Sequence, residues 1–148
     1  MLCLFATQTG DGTRLLWIGT DGGGLVQARL TETDSLEIVK IHDAATGALP
    51  NNVVFSLLET VAPNGLRTLW VGTNGGLATL TGQGMEWQPG TTYTTANGLP
   101  NNGVNGLTET VAADGTHSVW AGTYGGAARL DLGKPANWTV FSDTTRVA

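Results

Sequence analysis

A short phrase recurs three times in this chain, as Leu16-Trp17-Ile18-Gly19-Thr20, Leu69-Trp70-Val71-Gly72-Thr73 and Val119-Trp120-Ala121-Gly122-Thr123. Each copy runs into a group of glycines, and the tryptophans stand 53 and 50 residues apart. A repeat of that length, rich in β-branched, aromatic and paired glycine residues, predicts a β-propeller blade of four short antiparallel strands. The 148 residues divide into three such units, 1–48, 49–98 and 99–148, in an all-β chain without a helical period.

The second and third units, aligned from Leu49 and Leu99, share 18 of 32 positions. From leucine to tryptophan the spacing is 21 residues in both units, whereas from tryptophan to the next leucine it is 32 and then 29. Length variation confined to one stretch assigns that stretch to a loop and an outer strand. The first strand of each unit is an apolar run (residues 1–7, 53–61 and 104–111), the pattern of a strand covered on both faces. Asp11-Gly12, Asn64-Gly65 and Asp114-Gly115 follow it, and such dipeptides predict two-residue hairpins with positive φ at both central positions. The tryptophan phrase makes the second strand. The glycines turn it into a third (residues 25–30, 77–80 and 127–130), and a looser loop leads to the outer strand (residues 36–41, 85–93 and 138–141). The 22 glycines suit so many tight turns.

Alternating strand directions place the entry to each first strand at the same end as the turn between strands two and three. Asn51, Asn52, Asn101 and Asn102 are therefore expected beside Asp21, Asn74 and Tyr124, and these seven are the candidate ligand-binding residues. A second reading of the asparagines stays open, in which they shape the connection between blades by bonding the backbone. Trp17, Trp70 and Trp120 occupy one repeat position, as packing between blades requires. Glu59 and Glu109 also share one repeat position, so they duplicate rather than complement each other as acid and base. They are expected to accept backbone N–H groups near the hairpin. His42 and His117 have no metal-ligand spacing, and the lone Cys3 offers neither an internal disulfide nor a metal pattern. These observations point to a chain that is not an enzyme and uses no cofactor or metal. A net charge of −5 with seven scattered basic residues argues against nucleic acid and anionic membranes. The apolar start over residues 1–6 is too short for a signal-peptide core and reads as the first strand.

The run Gly98-Leu99-Pro100-Asn101-Asn102-Gly103-Val104, followed by Val119-Trp120-Ala121-Gly122-Thr123-Tyr124-Gly125-Gly126, resembles the two-component regulator propeller repeat. So does Leu49-Pro50-Asn51-Asn52-Val53-Val54 with Leu69-Trp70-Val71-Gly72-Thr73-Asn74-Gly75-Gly76. That family's pattern is Gly-Leu-Pro-x-Asn-x-Val, a hairpin, then Leu-Trp-x-Gly-Thr-x-x-Gly-Leu, and the resemblance covers nearly the whole chain. It implies a non-enzymatic ligand-binding or sensing module of a bacterial signal-transduction protein, periplasmic or extracellular, with carbohydrate-derived ligands among those the family senses. The first unit departs from the pattern in lacking Leu-Pro-Asn-Asn, and no kinase or output segment lies within these residues. The alternatives are a structural or protein-interaction scaffold and a carbohydrate-active enzyme fragment.

Propellers typically have four to eight blades. Three leave two sheet faces without a neighbour, and the apolar area exposed should exceed the roughly 300–600 Å² that ordinary monomers tolerate. The expected remedy is a homodimer joined head to tail as a six-bladed ring, or the remaining blades of a longer propeller.

Overall fold

The computed structural model describes residues 3–135 and 137–142. It contains three four-stranded antiparallel sheets, each a meander in chain order. The first comprises β1 (Cys3–Gln8), β2 (Arg14–Gly19), β3 (Leu25–Leu30) and β4 (Leu36–His42). The second comprises β5 (Val54–Val61), β6 (Arg67–Thr73), β7 (Gly76–Gln83) and β8 (Glu86–Tyr93). The third comprises β9 (Val104–Val111), β10 (His117–Thr123), β11 (Gly126–Asp131) and β12 (Trp138–Phe141). One turn of 3-10 helix, Thr95–Asn97, lies between β8 and β9. The strands fall close to their expected places, although β7 runs past residue 80 to Gln83. Residues 1 and 2 of the expected first strand lie outside the described residues.

Strand β5 lies against β1 on one side and β9 on the other, so the first strands of the three sheets stand next to one another. Alternation along each strand then sorts side chains between two cores. Leu15, Trp17 and Leu25 of the first sheet meet Leu69, Val71, Ala78, Leu80 and Trp87 of the second. From the opposite face of the second sheet, Trp70 and Leu77 meet Val119, Ala121, Ala128 and Leu130 of the third. Leu49 and Leu99, midway along the connections between sheets, plug these two cores in turn. In the first core Trp17 is fully buried and meets Trp87 edge to face at 5.2 Å. In the second, Trp70 stacks on Tyr93, whose ring meets Trp138 edge to face.

Two expectations need correction. Only the middle first strand is covered on both faces: β5 is buried or half-buried from Val54 to Thr60, whereas β1 alternates between half-buried and exposed. β9 is exposed at Asn105, Thr108, Thr110 and Val111. An apolar run marks a strand that suits two neighbours, but β1 and β9 have a described sheet on one side alone. The hairpins also differ from expectation. Thr9 N donates to Thr13 O and Gly12 N to Thr9 O, so the loop has three residues, a turn followed by a left-handed glycine. Positive φ is needed once per loop, at Gly12 (88°), Gly65 (86°) and Gly115 (88°), and not at the residue before. That residue works through its side chain instead: Asp11, Asn64 and Asp114 each accept the N–H two positions on.

Close approach of the sheets depends on small residues. A Cβ at Gly72 would lie 2.2 Å from Ser56 Oγ and 2.6 Å from the carbonyl oxygen of Val104 in the next sheet. The backbone oxygen cannot swing away as a side chain can. Gly72→Ala is expected to cost about 1–3 kcal/mol of stability through this overpacking, read as a lower denaturation midpoint by tryptophan fluorescence. An unchanged midpoint would show that the second and third sheets are not held this closely.

Candidate functional site

The connections into β5 and β9 are built alike, and the asparagines explain how. Asn51 Oδ1 accepts the N–H of Val53 at 2.8 Å, and Asn101 Oδ1 accepts that of Gly103 at 2.8 Å. Each closes a tight turn over the residue between. Asn52 Oδ1 reaches back to the N–H of Ala44 at 2.7 Å, and Asn102 Oδ1 to that of Thr95 at 2.8 Å. Each thereby pins the start of its connection to its end. All four carboxamide oxygens are occupied by backbone donors, and the four residues are half-buried.

Asp21, Asn74 and Tyr124 are brought to the same end. Asp21 pairs with Val53 as an isolated β-bridge, and the main-chain oxygen of Asn52 accepts from both Gly22 N (3.2 Å) and Gly24 N (2.9 Å). These bonds join the first sheet to the second. Asn74 N donates to Val53 O, and Tyr124 N to Gly103 O. The side chains of all three are exposed, that of Tyr124 by 65%. The Tyr124 ring covers Gly103 and meets Phe55 edge to face, with centroids 6.4 Å apart. Phe55 is half-buried and belongs to this end, yet sequence reasoning passed over it. The signal available was its repeat position, which holds Asn105 in the third unit.

Beneath this surface lies a buried polar pair. His42 Nε2 lies 2.9 Å from Gln27 Oε1, and the imidazole packs beside Trp17 at 5.7 Å. His42 Nδ1 and Trp17 Nε1 are both buried and have no hydrogen-bond partner among the described residues. Burial, with the charge of Lys40 assisting and that of Asp43 opposing, pushes the His42 pKa from 6.5 down to about 4.

At the opposite end of the sheets sit the two glutamates. Contrary to expectation, neither takes a backbone N–H among the described residues. Glu59 accepts the Thr7 hydroxyl from the first sheet (2.9 and 3.0 Å) and pairs with Arg67 on the adjacent strand at 2.7 Å. Glu109 instead faces His117 Nδ1 at 2.9 Å. The side chain diagonally across the strand pair, Arg67 or His117, two positions before the residue opposite each glutamate, captures the carboxylate. Trp17 and Trp70 are core residues, whereas Trp120 is half-buried, stacked on Phe141 with Arg129 5.6 Å above its ring.

The amide end thus offers an exposed phenol ring, a carboxylate and a carboxamide on a rigid backbone frame, which is the chemistry of hydrogen bonding and stacking. Among the described residues no three His, Cys, Asp or Glu side chains converge as metal ligands, and no helix is long and apolar enough to cross a membrane. Compared with family models, curated proteins and solved structures, the chain matches none.

The buried imidazole has a measurable consequence. Between pH 6.5 and about 4 the unfolded chain binds a proton at His42 that the folded chain refuses. Its contribution is therefore intact above pH 6.5 and is lost as pH falls toward 4, by roughly 3 kcal/mol in all. Urea midpoints measured across this window should decline with acidity in the native chain and decline less in His42→Gln.

Proposed function

We propose that the three sheets are consecutive blades of a β-propeller which a second copy of the chain completes, head to tail, as a six-bladed ring. The ring is a non-enzymatic binding module of the two-component regulator type, with its ligand at the end that carries Asp21, Asn74 and Tyr124. One observation carries the assembly: the outer faces of the first and third sheets are the two halves of a junction that the chain already builds twice.

In both internal junctions the tryptophan of one sheet packs toward the next sheet, which answers with a pair of aliphatic residues from its second strand. These pairs are Leu69 with Val71 and Val119 with Ala121. Trp120 holds the same repeat position as Trp17 and Trp70, and because its neighbours Val119 and Ala121 face the second sheet it faces away. Leu16 and Ile18 hold the positions of the aliphatic pairs and lie on the outer face of the first sheet. Register continues that face through Leu4, Val26, Ala28, Leu30, Leu36, Ile38 and Ile41. Ile38 is 71% exposed and Leu4 and Leu36 are each 52% exposed, an apolar surface of the kind association covers. A heterologous contact between these faces closes after two copies if six blades complete the turn.

The exposed Tyr124 ring beside Phe55, with Asp21 and Asn74 as hydrogen-bonding groups, suits the C–H face and hydroxyls of a sugar. A periplasmic or extracellular address accompanies this reading. The scaffold reading is favoured by one fact, that the carboxamide oxygens of Asn51, Asn52, Asn101 and Asn102 are already bound to backbone.

Light scattering after size exclusion should give a mass of twice 15.3 kDa. Ile18→Lys should reduce it to one chain while the β circular-dichroism spectrum is retained. A folded single-chain mass for the unaltered protein would sink closure by a second copy. Independently, a thermal-shift series with oligosaccharides should raise the melting temperature for at least one sugar, and Tyr124→Ala should abolish the rise. Absence of any shift would remove the sugar reading and leave the scaffold.

A further inference from the structure

The two internal junctions are alike at the amide end and differ at the hairpin end. In the first, Thr7 and Arg67 together close the space around Glu59, whose side chain is 9% exposed. In the second, the equivalent threonine, Thr60, is turned the other way and accepts the indole N–H of Trp70 at 2.9 Å. The equivalent of Arg67 is His117, 52% exposed, and an imidazole carries charge only when protonated. Glu109 Oε1 consequently takes no hydrogen bond among the described residues. At this end a cavity of about 540 Å³ lies between the second and third sheets, and Glu109, His117 and Thr60 are among the residues that line it.

The geometry points to this cavity as a binding site for a small organic ammonium ion with an apolar body. The charge requirement comes from Glu109, which has lost both the hydroxyl donor and the permanent cation that its counterpart Glu59 keeps. A ligand ammonium restores both in one group, through a charge-assisted hydrogen bond to Oε1. The apolar body is specified by the walls, where Pro63, Leu132 and Trp70 line the cavity together with the acid. A volume of that order is within the range of small-molecule sites. The site needs no partner, because both sheets belong to one chain, and it lies at the end remote from Tyr124. It therefore stands or falls separately from ring closure and from sugar binding.

The probe is 2-phenylethylamine, titrated into the native protein while the indole N–H signals are followed by heteronuclear NMR, with 2-phenylethanol as the neutral isostere. The amine should shift the Trp70 indole saturably, and the alcohol should bind about tenfold more weakly or worse, as loss of a hydrogen bond to a charged group predicts. Glu109→Gln, which keeps the shape of the side chain, should bring the amine down to the affinity of the alcohol. Glu59→Gln should leave amine affinity unchanged, because that carboxylate lines the other junction. Equal binding of amine and alcohol to the native chain would overturn the proposal without recourse to any variant. So would a saturable shift confined to indoles other than that of Trp70, or no saturable shift at all.

Discussion

A sheet whose two faces are both apolar cannot be left with one of them in water, and the second sheet is built under that constraint. On β6 every residue from Leu69 to Thr73 is buried, with Leu69 and Val71 in one core and Trp70 in the other. The remaining architecture serves this double burial. The glycine of the first two tryptophan phrases, Gly19 and Gly72, removes a side chain where the next sheet's backbone lies close by. The leucine midway along each connection packs into the core between the sheets that it joins. Because a gap of about 0.5–1 Å already forfeits roughly a quarter to a half of the dispersion attraction, these small residues let the tryptophans they adjoin make full contact.

How far the fold was legible follows from which interactions repeat. Strand positions could be read because the same packing demand recurs in each unit, so Trp17, Trp70 and Trp120 report one geometry. What could not be read depends on neighbours outside the unit. The runs that became β1 and β5 are both apolar in sequence, yet they differ in burial because one has a sheet on either side. Hairpin type was misjudged for a different reason. Asp-Gly and Asn-Gly fit both a two-residue loop and a three-residue loop, and the choice lies with hydrogen bonds from Thr9, Ala62 and Ala112. At the amide end, the grouping of Asp21, Asn74 and Tyr124 with the asparagines followed from strand direction. The use of each carboxamide oxygen did not, since it depends on where Ala44 and Thr95 come to rest.

The two ends of the sheets show how a repeat frame separates structure from chemistry. Glu59 and Glu109 occupy one register position, opposite Leu69 and Val119 respectively. Their surroundings differ in the residue that pairs diagonally across the hairpin, Arg67 or His117, and in the partner taken by one threonine hydroxyl. Backbone geometry is held constant while the polarity of the space between sheets changes, so the junctions can diverge at their hairpin ends without loss of the cores beneath them.

Because each sheet is a meander completed before the next begins, most hydrogen bonds join strands adjacent in the chain. Opening an outer strand such as β4, largely exposed from Leu36 to Ile41, disrupts one ladder and little apolar contact. Opening β6 disrupts two ladders and both cores at once. Amide protons along the chain should therefore exchange with solvent in a graded order, fastest at the outer strands of the end sheets and slowest on β6. The middle of the chain thereby becomes the kinetic anchor, and a protease that enters the fold is expected to do so at its periphery.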